Sequence, residues 1–441
     1  MQKSTIRIGC GAGFSGDRIE PAQILVKDGK LDYLILECLA ERTIALAQQR
    51  KLKNPNLGFD PLLEKRLTPL LPILAETKTK LITNMGAANP LDAAKKIQLL
   101  AKAQGLQFRI AVVEGDDVLD SLTQDLSILE NEKKISSYPD VISANAYLGI
   151  EAILPGLTSG ADIIITGRVA DPSLFLAPMV FEFGWDIEDF NLMGKGTAIG
   201  HLLECAGQLT GGYFADPIGK PVPDMHLLGH PFADVNSDGT AIFSKVAGTG
   251  GLLNVQTAKE QLLYEVLDPA RYLTPDVTAD FSSIQLAQLG KDRILMSGGG
   301  GVQRPEQFKV SVGYSGGYIG EGEISYAGAH AIERAQLAGQ IISLRIAHLF
   351  EELKTDLLGV NALHGQTIGE SSSPYEVRLR VAGKTSDPQI AEIVGEEVEA
   401  LYTNGPAGGG GARKSLKEIV GIVSVLLDRN LIQPTCTILE G

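Results

Sequence analysis

Five short apolar runs constrain this chain more than any other feature. They are Thr5–Cys10 (TIRIGC), Asp32–Glu37 (DYLILE), Lys80–Asn84 (KLITN), Phe108–Val113 (FRIAVV) and Ala161–Thr166 (ADIIIT). Each is rich in Ile, Leu and Val and nearly continuous, without polar alternation, which is how strands buried on both faces read. Helical patterns separate them, such as Pro90–Gln104, followed by Gly105 as a C-terminal stop. Strand–helix alternation of this kind predicts an α/β fold, a mostly parallel sheet flanked by helices, doubly wound and Rossmann-like. Length and pattern predict three parts. Residues 1–215 form the parallel α/β domain with the active-site crevice. Residues 216–325, opened by Pro217, Pro221, Pro223 and Pro231, form a strand- and turn-rich α+β subdomain. Residues 326–441 form a C-terminal α/β segment. Within the last segment the reading places a helix over 327–353, a strand near Tyr375–Val381, a helix near Pro388–Tyr402, a glycine-rich loop, and a helix near Lys414–Asn430.

In parallel α/β folds, ligands bind outside the carboxyl ends of the strands, so the residues after each run are the candidate site. They read Gly11–Arg18 (GAGFSGDR), Glu37–Arg42 (ECLAER), Asn84–Pro90 (NMGAANP), Glu114–Asp117 (EGDD) and Gly167–Ser173 (GRVADPS). Glu37, Asp116 and Asp171 are the candidate proton-transfer groups, because a buried carboxyl can have its pKa tuned to that task. Asn84 is the candidate hydrogen-bond donor to a developing oxyanion. Asn89 and Asn145 are weighed for the same role against a turn or cap. Gly11, Gly13, Gly16, Asp17, Arg18, Gly86, Asn89, Glu114, Gly167 and Arg168 are the candidate substrate-binding positions. Arg18 and Arg168 offer two-pronged donors to a carboxylate, or else form structural ion pairs with Asp17 and Asp171.

GAGFSG also satisfies GxGxxG after a strand, with Glu37 ending the next strand, the formal dinucleotide fingerprint. Asp17 beside that turn would oppose a pyrophosphate, so a tight turn allowing close approach of substrate is the preferred reading. A dinucleotide-dependent oxidoreductase is the alternative. The net charge of −14 argues against nucleic acid as a partner. No apolar run reaches the ~18 residues of a spanning helix, and the N-terminus enters a strand pattern without a secretory signal, so a cytoplasmic protein is expected. The scattered Cys10, Cys38, Cys205 and Cys436 read as reduced thiols. His201, Glu204 and Cys205 share a helix face, and His226 and His230 are four apart, but neither set matches a zinc signature. No metal ligands are assigned, and an oxygen-ligated divalent ion at Glu114, Asp116 and Asp117 stays open. No GxSxG elbow is present. The Gly405–Ser415 run, read as opening a helix, is either an anion site or a subunit contact.

Several stretches resemble the acyclic terpene utilisation (AtuA-like) family: Ile8–Arg18, Ile82–Pro90, Val112–Asp117, Ile165–Ser173, Gly248–Val277, Leu358–Gly365 and Leu401–Gly411. The resemblance implies a metabolic enzyme of acyclic terpene or related carboxylic-acid catabolism. It further implies a lyase or hydratase/dehydratase step on a branched hydroxy acid or its CoA thioester. No cofactor is assigned, and a divalent metal stays open. Longer members carry an additional C-terminal domain, so a small partner subunit is expected, alongside a homo-oligomer. A non-catalytic scaffold subunit is the alternative that follows. Within this reading Arg168 and Arg18 bind the anionic end, and Arg168→Ala weakens binding without unfolding the chain.

Overall fold

A computed structural model describes residues 3–138, 140–365 and 374–441. The chain divides into two compact units, residues 1–313 with 422–441, and residues 314–421.

The larger unit opens with β1 (Thr5–Ala12), α1 (Glu20–Asp28), β2 (Tyr33–Leu36), α2 (Glu41–Lys53), α3 (Leu63–Thr77), β3 (Lys80–Thr83), α4 (Pro90–Ala103) and β4 (Ile110–Glu114). It continues with β5 (Val141–Ala146), α5 (Ile150–Thr158), β6 (Ile163–Thr166), α6 (Ser173–Phe183) and α7 (Phe190–Glu204). Then come β7 (Pro231–Asn236), β8 (Ala241–Lys245), α8 (Val255–Leu263), β9 (Tyr272–Leu273), β10 (Thr278–Asp280), β11 (Gln285–Gly290), β12 (Arg293–Ser297) and β13 (Gly300–Val302). The five runs singled out by sequence are β1, β2, β3, β4 and β6. They lie side by side in the order β1-β2-β3-β6-β4, all parallel.

Alternate side chains of these strands face opposite helix layers. Leu34, Leu36, Leu81 and Val112 join a core with Leu25 of α1, Leu67 and Leu71 of α3 and Ile97 of α4. On the opposite face, Gly156 of α5 comes so close to Ala111 and Ile164 that a Cβ there would lie 2.9 Å from the Ala111 methyl. Helices therefore cover both faces, which explains why the strands read as unbroken apolar runs.

The sheet departs from the expectation in composition. β7, β8, β12 and β11 extend it antiparallel beyond β1, and β18 (Thr435–Leu439) extends it antiparallel beyond β4, giving ten strands in a mixed sheet. A doubly wound order would place a parallel strand on the far side of β1; the strand there is antiparallel β7. The stretch 216–325 thus supplies four strands to the sheet begun by residue 5.

The smaller unit is entered within β14 (Gln307–Ala327) and left within β17 (Gly410–Asp428). Between them lie α9 (Ala331–Ile346), β15 (Glu352–Leu358), β16 (Glu376–Thr385) and α10 (Pro388–Asn404). The strand order β15-β16-β14-β17 with two crossing helices is a split β-α-β, ferredoxin-like arrangement. Two helix expectations are corrected here. The helix placed over 327–353 ends at Ile346 and is followed by a strand. The helix placed over 414–430 is the strand β17: its second half, Ile419–Leu427, is dominated by Ile, Val and Leu, and the charged Arg413–Glu418 preceding it is exposed.

Candidate functional site

The carboxyl ends of β1 and β2 open onto a cavity of about 600 Å³. Gly13, Asp17 and Arg18 come from the turn after β1, and Glu37 and Glu41 from the turn after β2. Asp171 follows β6, while Glu204 and Cys205 come from the end of α7. His230 precedes β7, and Tyr264 and Glu265 follow α8. Six carboxyl groups therefore face one space, with Arg18 as the cation on its wall. Every residue of this lining belongs to the larger unit.

Glu37 is held by its surroundings. Its Oε1 accepts from Asn84 Nδ2 at 2.8 Å and from the Leu39 N–H at 2.9 Å, while Asn84 Oδ1 accepts from the Cys38 N–H at 2.7 Å. Burial disfavours the ionised form, and the neighbouring Asp171 charge adds to it. Together they outweigh Arg168 and Asn84 and push the Glu37 carboxyl well above its usual range. Asp171 is raised by burial against the opposing pull of Arg168. Glu204 is raised well above its usual range by burial and then by Asp171 and Glu265. Glu41 goes the other way. Burial opposes its charge, but the Tyr147 hydroxyl that donates to Oε1, together with Arg168 and Lys309, outweighs burial and holds it at about 2.

Arg168 does not project into the cavity as a free anion binder. It is 1% exposed; Nη1 donates to the Leu39 carbonyl, Nη2 donates to Asp171 Oδ1, and the guanidinium lies 4.3 Å from the centre of the Tyr147 ring. This corrects the expectation that Arg168 binds the substrate's anionic end: both Nη groups are engaged, Nε is buried, and the side chain works from behind by orienting Asp171 and the Leu39 turn. Asp116 is a second supporting residue. Its Oδ2 accepts from Asn145 Nδ2 and from the Arg168 N–H, both at 2.9 Å, so it fixes the backbone from which Arg168 departs. Burial pushes Asp116 up to about 6, against the two donors. Gly167 is required there, since a Cβ would lie 2.3 Å from Asp116 Oδ1.

Of the residues selected from sequence, Gly13, Asp17, Arg18, Glu37 and Asp171 line the cavity, with Asn84, Asp116, Gly167 and Arg168 directly behind. The others do different work. Gly11 packs against Ala22, Leu34 and Leu36, and Gly16 against the Phe14 ring. Gly86 lets its loop approach the Thr166 carbonyl, where a Cβ would sit 2.5 Å away. Asn89 caps α4, its Oδ1 accepting from the Asp92 N–H and its Nδ2 donating to the Pro55 and Leu57 carbonyls. Glu114 ends β4 and pairs in the ladder with Thr435. Asp117 accepts from Gln48, so Glu114, Asp116 and Asp117 do not converge on an ion. Among the described residues no group of three or more His, Cys, Asp or Glu is placed to hold a metal.

The turn after β1 is closed on itself. The Gly13 N–H donates to Asp17 Oδ2 at 2.7 Å, and a Cβ on Gly13 would lie 2.5 Å from the Cys205 carbonyl carbon. Buried Arg66, which sequence reasoning missed, donates from Nη2 to the Ser15 and Asp17 carbonyls at 2.9 and 2.8 Å and so holds the turn from beneath. Tyr264 and Glu265 were also missed: they lie in the Gly248–Val277 stretch that carries the family resemblance, but no residue pattern there marks the turn after α8 as part of the site. His201, weighed as a ligand, instead packs against Tyr272 and Phe281 and pairs through Nδ1 with Glu204 Oε1 at 2.6 Å. Burial lowers it to about 4, so it is neutral. Glu204 Oε2 is buried without a hydrogen-bond partner.

These observations define an α/β protein with an acid-lined cavity at the carboxyl edge of a parallel sheet segment. A family model described as "Acyclic terpene utilisation family protein AtuA" matches residues 6–438. The chain belongs to that family, whose context is the utilisation of acyclic terpenes. No curated protein and no solved structure matches it. No helix among the described residues is long and apolar enough to cross a membrane.

Proposed function

We propose that this chain is a hydro-lyase, adding or removing water on a branched hydroxy acid or its CoA thioester. The observation that carries the reading is the pair of buried carboxyls Glu37 and Asp171 on one cavity wall, with Arg168 engaged behind Asp171. Elimination of water needs two proton transfers: a base removes the proton beside the carbonyl, and an acid protonates the departing hydroxyl. Two adjacent carboxyls whose environments separate their pKa values divide these roles. Asp171, with Arg168 favouring its ionised form, gives up its proton first and acts as base. Glu37, which holds its proton to higher pH, delivers it to the leaving hydroxyl. Afterwards Asp171 carries one proton more and Glu37 one fewer, and return of that proton resets the pair. In this reading Arg18, which lines the cavity and whose Nη1 donates to the Met225 and His226 carbonyls, meets the anionic end with its remaining donors.

The test uses branched 3-hydroxy acids, their CoA thioesters and the matching enoyl forms, with gain or loss of water followed by mass spectrometry. Glu37→Gln and Asp171→Asn each lower turnover by about 10²–10⁴-fold, the usual contribution of a positioned acid or base. Undiminished turnover in Glu37→Gln would overturn the assignment.

A further inference from the structure

Beside the acidic cavity lies a second one of about 360 Å³. Gln208, Gly212, Tyr213 and Tyr264 line both. The chemistry changes across these four residues. On one side stand the carboxyls of Glu37, Asp171 and Glu204; on the other Leu263 and Phe214 add apolar faces among Thr257, Lys259, Glu260 and Gln261. Phe214 lies beneath Lys220, whose Nζ sits 4.7 Å from the ring centre and pairs with Glu260.

The shared wall has an unusual member. Tyr213 is 88% exposed and has φ of +60°, a backbone region that a bulky side chain rarely adopts. Gly211, two residues earlier, is at φ +104°, and a Cβ on Gly212 would lie 2.8 Å from the Gly207 carbonyl oxygen. The Tyr213 ring meets Tyr264 edge-on, centroids 6.4 Å apart. Leu263, next to Tyr264, leaves 57% of its surface in solvent. Backbone strain retained for an exposed aromatic ring has no return in core packing. Such strain is characteristic of positions that contact ligands.

We propose that the Tyr213–Tyr264 pair is a specificity-determining partition: the reacting head of the substrate sits among the carboxyls, its aliphatic tail passes the two rings, and the second cavity limits tail length. This rests on the small-molecule reading of the acidic cavity, but on a different set of walls. An acidic cavity adjoining one that offers the apolar faces of Leu263 and Phe214 suits an amphipathic molecule, because each half then avoids the other's desolvation cost.

Binding of straight-chain 3-hydroxy acids, from the butanoate to the dodecanoate, tests it by calorimetry on the full chain. Each buried methylene is worth ~0.8 kcal/mol, so affinity rises about fourfold per carbon and then reaches a break when the second cavity is full. Leu263→Trp moves the break to shorter tails. Tyr213→Ala removes it, and Tyr213→Phe, which keeps the ring, leaves it in place. Affinity independent of tail length, or a break unmoved by Leu263→Trp, overturns the proposal. The two readings fail separately. Full turnover in Glu37→Gln with the length break present strikes only the proton-transfer roles, and a break unmoved by Leu263→Trp with turnover lost in Glu37→Gln strikes only the partition.

Discussion

Replacing Arg168 by Met isolates the charge at the centre of the site while keeping most of its volume. The side chain is 1% exposed, so its removal strips a buried partner from Asp171, a donor from the Leu39 carbonyl and a cation from near Glu37 and Glu41. Breaking a buried ion pair by deleting one partner costs about 3–5 kcal/mol. This replaces the earlier expectation of weakened binding without loss of stability. With an unfolding entropy of about 2.1 cal/mol/K per residue over a unit of roughly 330 residues, 4 kcal/mol lowers the melting temperature by about 6 °C. The loss depends on pH. Arg168 works to lower the Glu37 and Asp171 pKa values, so without it both rise further above their unfolded values. A carboxyl raised in the folded state holds its proton there, so folded stability falls as pH climbs from the unfolded value to the folded one. The deficit of Arg168→Met is therefore smaller at pH 4 than at pH 7. Calorimetric melts at both values decide it. A variant melting within about 1 °C of the parent, or one with equal deficits at the two pH values, refutes the buried-partner account.

Asp116→Asn removes a group that burial pushes up to about 6 from 3.8. That shift of about two units corresponds to roughly 3 kcal/mol of stability present below pH 3.8 and lost by about pH 6. Denaturant midpoints of the variant should fall less than those of the parent between pH 4 and 7; parallel changes would contradict the shift. Arg66→Met removes the donors to the Ser15 and Asp17 carbonyls, each worth about 1.5–3 kcal/mol as a charged hydrogen bond. Limited proteolysis should then cut within Gly13–Arg18 before the rest of the chain unfolds, and an uncut turn would show that Arg66 does not hold it.

The parallel strands were legible because burial on both faces is a local property, written as unbroken Ile, Leu and Val runs. Their carboxyl-end turns were legible for the same reason, and the structure brings residues from all five to one edge. What escaped is what only packing decides. Glu204 at the last position of α7 was weighed only as a metal ligand with His201 and Cys205, and Glu265 lies in the Gly248–Val277 stretch without a mark of its own; charged residues at helix ends are ordinary. The first half of β17 carries Arg413–Glu418, exposed on an edge, so no alternation distinguishes it from a polar helix. Arg168 was recognised as important for the wrong reason. Its position after β6 was visible, but the Tyr147 ring and the Leu39 carbonyl that occupy it come from other elements.

The cavity keeps groups that the fold itself does not need. Glu204 Oε2 is buried without a partner, a state that costs about 1–3 kcal/mol for a polar group. His201, its neighbour through Oε1, would pack as well against Tyr272 and Phe281 with no carboxyl beside it. Asp171 raises the affinity of both Glu37 and Glu204 for protons by standing close to them. Hydrophobic side chains at the same positions would spare the molecule these costs. Perturbed carboxyls gathered in a cleft are the usual signature of proton chemistry or of a ligand that completes their hydrogen bonds. Arg66 and Arg168 show the contrast. Each is a buried charge whose Nη donors meet carbonyls or a carboxylate of the fold, leaving only Nε without a partner, whereas Glu204, a lining residue of the cavity, keeps a carboxylate oxygen without one.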